Sequence, residues 1–185
     1  MLKSTLVRAL FSATMAAAVV VPLGASAQTM NTPVASSLNK TDLQIVANMA
    51  RSNMAEVEAG KLALANGQSA EVKAYAQQMI DDHTKALNDV TVLAQTKGVT
   101  LPTELDAKHK AMAAKLSKLK GEKFDQEYMK QAGVADHKQV QAMLKKDQAR
   151  AKDPEVKALA AKMLPTVAQH LETATSKAHA GHAAK

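Results

Sequence analysis

Gly98–Gly121 reads GVTLPTELDAKHKAMAAKLSKLKG, and the length of this stretch decides the fold. On each side of it lies a pair of long helical patterns joined by a short turn. Neighbouring helices of a bundle are usually joined by about 2–8 residues. A link as long as this one, with a helix of its own, can run the height of a bundle. Pro102-Thr103-Glu104 is the expected start of that extra helix, which the pattern carries to about Lys120-Gly121.

Working outward, four long helices follow from capping and spacing. The first starts near Thr41, where Thr41-Asp42-Leu43-Gln44 fits a capping box, and stops at Asn66-Gly67. The second starts at Ser69, with Glu71 in its first turn, and ends at Lys97-Gly98. The third runs from about Phe124 to Ala151. The fourth opens on Asp153-Pro154-Glu155 and continues to about Lys177. Apolar residues recur every three or four positions. Val72, Ala76, Met79, Ala86, Val90 and Leu93 mark the second helix; Met129, Val140 and Leu144 the third; Val156, Ala160, Met163, Val167 and Ala174 the fourth. The first is broader: Leu43, Val46, Ala50, Val57 and Leu64, with Asn53 and Glu56 on the flank. Gly133, on the third seam, suggests close packing or a bend. Aromatics are 2% and tryptophan is absent, a poor composition for a strand-rich core. The expected fold is all-α: a ferritin-like four-helix bundle over residues 39–178, whose long crossover between the second and third helices carries a short extra helix.

The N-terminus has the form of a secretory signal. Lys3 and Arg8 precede the apolar stretch Ala9–Val21, and Ala25-Ser26-Ala27 is a cleavage site. Residues 1–27 are read as a cleaved signal peptide, 28–38 as a flexible leader, and 179–185 as a disordered tail. Cleavage removes Lys3 and Arg8 and no acid, leaving 22 basic and 17 acidic residues, net +5. Export to the periplasm makes nucleic acid an unsuitable partner, and the mild positive charge makes an anionic envelope surface a candidate one. Association with the outer membrane is a further candidate. The chain has no cysteine, which excludes disulfides, thiolate metal sites and a lipidated-cysteine anchor.

Three histidines, His83, His137 and His170, sit near the middle of three different helices, each on the apolar seam. Counted from the turns, their heights differ by only about 3–5 Å, at about 1.5 Å rise per residue. Glu56 and Asn53 fall at similar height. Imidazoles converging with a carboxylate can hold a transition metal, copper, zinc or iron, which makes His83, His137, His170 and Glu56 candidate ligands. The alternative is a buried polar layer that fixes helix register. Asp82 and Asp136 precede two of the histidines and are either acceptors behind them or solvated. A di-iron oxidase needs two Glu-x-x-His motifs; Ile80 and Val167 occupy the glutamate positions before His83 and His170. No nucleophile triad or phosphate loop is visible, so hydrolase chemistry has no support. Met79 and Met163, near the histidines, suit Cu(I) or simply fill core. His109, in the crossover, is expected to be exposed. His179 and His182 lie in the tail. Lys108, Lys110, Lys115, Lys118, Lys120 and Lys123 make the crossover basic, either a solvated face or a contact for an anionic surface.

Several segments taken together resemble the exported bacterial family called domain of unknown function 4142, often called predicted outer membrane protein. They are Glu56–Ala63, Val72–His83, Leu101-Pro102, Phe124–Tyr128, Asp136-His137 and Leu164–Leu171. The resemblance spans about residues 39–178. It implies a ferritin-like bundle and no established activity. The family's recurring positions map to Glu56, Asp82, His83, Asp125, His137 and His170, and Tyr75 stands where phenylalanine is more frequent. Two roles are consistent with all of this, ahead of a third, a metal-dependent redox enzyme. One is an exported binding or stress-associated bundle with metal at the histidine layer. The other is a structural protein of the cell envelope.

Overall fold

The computed structural model describes residues 36–183, with side-chain surroundings through Lys177. The expected signal peptide and residues 28–35 of the leader lie outside the described residues, as do the side chains of His179 and His182. The elements are α1 (Lys40–Asn66), α2 (Ala70–Thr96), α3 (Ala107–Leu116), α4 (Gly121–Tyr128), a π-helical segment (Met129–Asp136), α5 (His137–Arg150) and α6 (Pro154–Ala183). The run from Gly121 to Arg150 is one continuous helical rod, the third long helix of the bundle. There is no strand among the described residues.

Two buried carboxylates set the topology. Asp42, at the start of α1, accepts hydrogen bonds from the backbone N–H groups of Lys152 (3.0 Å) and Asp153 (2.9 Å) in the α5–α6 turn. Asp125, in α4, accepts from Gln68 N (3.1 Å) and Ser69 N (2.7 Å) in the α1–α2 turn. Each hairpin turn is therefore held by a carboxylate from the other hairpin. Lys97, at the end of α2, pairs with Asp153 at 3.0 Å and Glu155 at 2.8 Å. The start of α1, the end of α2, the end of α5 and the start of α6 thus share one end of the bundle. The crossover descends the whole height to reach α4 at the other end, and α3 packs beside α1 on the way. This is the expected ferritin-like connection.

Local chemistry shifts several boundaries. The cap of α1 is Asn39, not Thr41: its Oδ1 accepts from Thr41 N and Asp42 N, and its Nδ2 returns a bond to Asp42. Leu38 is buried and Ser37 N donates to Lys97 O, so the last residues of the expected leader are tied to the bundle. Gly98, at φ 65°, takes the left-handed conformation that ends α2. The extra helix begins at Ala107, capped by Asp106, rather than at Pro102. The fourth helix runs to Ala183, past the expected end at Lys177, through alanines that favour helix.

The seams of the second, third and fourth helices are buried as expected, Ala86 only partly. On α1 Val46 and Ala50 are buried as expected, but the rest of the inward face differs. Ile45, Met49, Ser52, Asn53, Glu56, Ala59 and Ala63 face inward, while Leu43, Val57 and Leu64 lie on the flank. Polar residues at the centre of the core face hid the stripe. Two apolar clusters result. One holds Val46, Met49, Val90, Leu144 and Val167 toward the Asp42 end. The other holds Ala63, Met79, Phe124, Tyr128 and Ala174 toward the Asp125 end. The histidines lie between them. Gly133 sits in the π-helical segment, where a Cβ would come 3.1 Å from Ala174 Cβ; its absence lets α6 approach closely.

Charged acceptors of backbone N–H groups contribute about 1.5–3 kcal/mol each. Asp42→Ala and Asp125→Ala should each lower unfolding stability by about that amount, with the asparagine variants losing less. Urea denaturation checks this, and wild-type midpoints for both alanine variants would contradict it.

Candidate metal centre

His83 comes from α2, His137 opens α5, and His170 lies in α6. All three are buried, with ring centroids 5.6, 5.3 and 5.5 Å apart pairwise. One nitrogen of each ring lies within 4.8 Å of the other two. A metal bound by imidazole needs M–N distances of about 2.0–2.1 Å, which puts three ligand nitrogens about 3.5 Å apart, so the rings would have to draw together to hold one.

The proton on each ring is assigned by its partner. Asn53 Nδ2 donates to Met49 O at 2.8 Å, which turns Asn53 Oδ1 toward His83 Nδ1, also at 2.8 Å. An amide oxygen only accepts, so His83 Nδ1 carries the hydrogen. His137 Nδ1 lies 2.9 Å from Ala132 O and donates to it. His170 Nε2 donates to Asp82 Oδ2 at 2.9 Å. A neutral imidazole has one hydrogen, so His83 Nε2, His137 Nε2 and His170 Nδ1 are left as bare acceptors. All three are buried without a hydrogen-bond partner. This is the pattern of metal-ligating histidines, whose second nitrogen is held by a carbonyl or carboxylate.

Burial keeps the rings neutral. It pushes His83 well below its usual range, helped by the two neighbouring histidines. It brings His137 down to about 4 and outweighs the hydrogen bond to Ala132. It lowers His170 despite the pull of Asp82. Three lone pairs converging in a dry interior repel one another unless a cation or a proton donor sits among them.

The structure brings His83, His137 and His170 together and leaves Glu56 apart. The nearest approach of Glu56 is Oε1 at 3.5 Å from His137 Nδ1, the nitrogen already engaged by Ala132. Neither Glu56 oxygen has a hydrogen-bond partner. Burial, then the charge of Asp136, raise the Glu56 carboxyl well above the usual range. Asp82 serves His170, 88 positions away, rather than its neighbour His83. Asp136 faces the crossover, where Lys108 and His109 bind it. His109 is buried, against the expected exposure, because Asp106 and Asp136 hold its two ring nitrogens at 2.9 and 3.4 Å. Lys108, Lys110, Lys115 and Lys120 of the crossover engage Asp136, Glu104, Glu127 and Asn66 respectively. Sequence reasoning missed Tyr75, whose hydroxyl donates to His170 O at 3.3 Å, and Tyr128, whose buried hydroxyl has no partner. It also missed the Ala132 carbonyl, for which residue identity carries no signal.

The family profile described as domain of unknown function (DUF4142) matches residues 27–176. Among solved structures, a DUF305 fragment from Deinococcus radiodurans is similar at 17% identity and TM-score 0.68, covering 77% of this chain and 97% of that one. CopM in its Cu(I)-bound form is similar at 16% identity and TM-score 0.59, and in its Cu(II)-bound form at 17% and 0.62. Both forms cover 75% of this chain and 95% of that one. At these identities the likeness is one of fold. No curated protein matches. Among the described residues no helix is long and apolar enough to cross a membrane.

In the metal-free protein, the unfolded chain takes up a proton at His137 below about pH 6.5, which the folded chain refuses until about pH 4. The corresponding stability is complete above pH 6.5 and is lost as pH falls toward 4, about 3 kcal/mol at 1.36 kcal/mol per unit. Glu56, shifted upward, acts in the opposite sense, so the comparison is between variants. Wild-type stability should fall about 3 kcal/mol further than that of His137→Gln between pH 7 and 4 in urea titrations. Parallel curves would contradict the buried neutral ring.

Proposed function

The chain belongs to the DUF4142 family, whose description assigns no activity, and we propose that it is an exported metal-binding bundle in which His83, His137 and His170 hold one transition-metal ion. The observation that carries this reading is the set of three inward nitrogens without partners. A purely structural polar layer would pair donors with acceptors, because an unpaired buried polar group costs about 1–3 kcal/mol. Here each ring's N–H is turned to Asn53, Ala132 or Asp82, which leaves one bare acceptor nitrogen on each ring.

Copper is the preferred ion, with zinc as its competitor. Neutral imidazoles in an apolar shell suit Cu(I), and zinc also accepts three histidines with a fourth ligand. Met49, Met79 and Met163 are buried in the surrounding core. A bundle of the same fold, CopM, is known in Cu(I)- and Cu(II)-bound forms. Iron is disfavoured by the donor set: among the described residues no carboxylate joins the three nitrogens. Glu56 then acts from behind His137, where a cation in the layer would favour its ionised form. The signal-like N-terminus supports export, and the role proposed is that of a periplasmic binding or stress-associated protein.

Elemental mass spectrometry on residues 28–185, after exposure to Fe(II), Cu(I), Cu(II) and Zn(II), tests the reading. The expected result is about one copper per chain, lost when His83, His137 and His170 are all changed to alanine with helical content intact. No retained metal would leave the layer as architecture. Asn53→Ala, which frees the His83 ring to turn, should weaken affinity about 10–100-fold at unchanged stoichiometry. Unaltered affinity would deny Asn53 its orienting part.

A further inference from the structure

Resting on that metal reading, we propose that the cleft between α2 and α6 is the port through which the cation reaches the histidines, with Asp82 and Met163 as successive contacts. A cavity of about 140 Å³ opens there, lined by Asp82, Asp89, Lys162 and Met163 and reaching His83 and His170. That is ample for several waters, hence for an ion shedding its hydration shell.

On the crossover side a larger cavity, about 300 Å³, reaches Asp136 but none of the three histidines. Three groups orient the rings: Asn53, the Ala132 carbonyl and Asp82. Asn53 and Ala132 are fully buried. Asp82 alone is open, with 38% of its side chain exposed, and it touches His170 directly. Toward the crossover the layer is covered by Glu56, Asp136 and His109, all buried, with Lys108 over them.

Asp82 and Asp89 lie seven positions apart, so they share one face of α2. Lys162 reaches from α6 to Asp89 at 2.8 Å, spanning the mouth, and both side chains are solvent-exposed. Lys85 also lines the mouth, so its formal charges cancel while the ion pair is closed. Such exposed pairs are weak and screened by salt. When Lys162 swings away, a carboxylate faces the incoming ion. Met163 lies deeper and is 7% exposed. Its thioether favours a soft cation over the harder ones that Asp82 alone would admit. The carboxylate meets the hydrated ion, the thioether takes it as water is lost, and the imidazoles receive it.

The chain has no cysteine, so Asp89→Cys combined with Lys162→Cys introduces the only two thiols. A short thiol-bridging reagent then locks the mouth, and the same variant with each thiol alkylated separately serves as the unbridged form, so that no free thiol binds Cu(I). Uptake of Cu(I) from a chromophoric chelator is followed by stopped flow for both forms, on residues 28–185. The bridged form should fill at least tenfold more slowly than the unbridged form of the same variant, to the same final stoichiometry. Met163→Leu in the otherwise native chain should slow Cu(I) uptake severalfold and leave Zn(II) uptake within twofold. Equal rates for bridged and unbridged protein, both filling to one metal, would overturn the port and leave the metal reading standing. A wild-type chain that holds no metal would overturn both.

Discussion

Each hairpin of this bundle has its turn fastened by a carboxylate from the other, and the height of every internal residue depends on that exchange. Asp42 holds the backbone at Lys152 and Asp153, and Asp125 holds it at Gln68 and Ser69. Apolar packing alone is permissive about sliding one helix along another, since leucine against valine is nearly as good a turn away. Directional bonds from buried carboxylates to specific N–H groups are not permissive. With both ends of the bundle pinned, His83, His137 and His170 meet in one layer between the two apolar clusters.

Within that layer the chemistry follows from where hydrogens point. Asn53 is itself oriented by the Met49 carbonyl, so the His83 tautomer is set two bonds back from the ring. The π-helical segment ends just before His137, and the Ala132 carbonyl within it takes that ring's hydrogen. Asp82 orients His170 from the solvent side. Burial removes the option of protonating the rings at neutral pH. The same features that make the layer costly for folding therefore make it receptive to a cation. The π-helical segment, the inward acceptors and the cleft at α2–α6 all depart from ideal bundle design in one region, as functional sites commonly do.

The fold was legible in the sequence where signals are local. The crossover length, the Asn66-Gly67 and Lys97-Gly98 stops, and the Asp153-Pro154 start all read correctly. So did the seams of the second, third and fourth helices, because the positions that mark them are apolar, glycine or histidine. On the first helix only Val46 and Ala50 read correctly, because Ser52, Asn53 and Glu56 occupy its centre and a hydrophobicity pattern cannot count polar residues as core. Asn39 was passed over as a cap because Thr41 offered a more familiar box. The π-helical segment left no mark beyond Gly133. His109 read as exposed because its shielding comes from Asp136, 27 positions away.

The sequence by itself determined that the chain is a four-helix bundle with a long crossover and that three histidines fall at one height, since helical period and turn chemistry are written in neighbouring residues. Only the tertiary structure decided which nitrogen of each histidine faces the centre, that Glu56 stands behind His137 rather than beside the others, and that Asp82 serves His170. The physical reason is that a ring's orientation is set by hydrogen bonds to whatever packs against it. For His83 and His170 those partners lie 30 and 88 positions away in the chain, beyond any periodicity. For His137 the partner is a backbone carbonyl that no residue type announces.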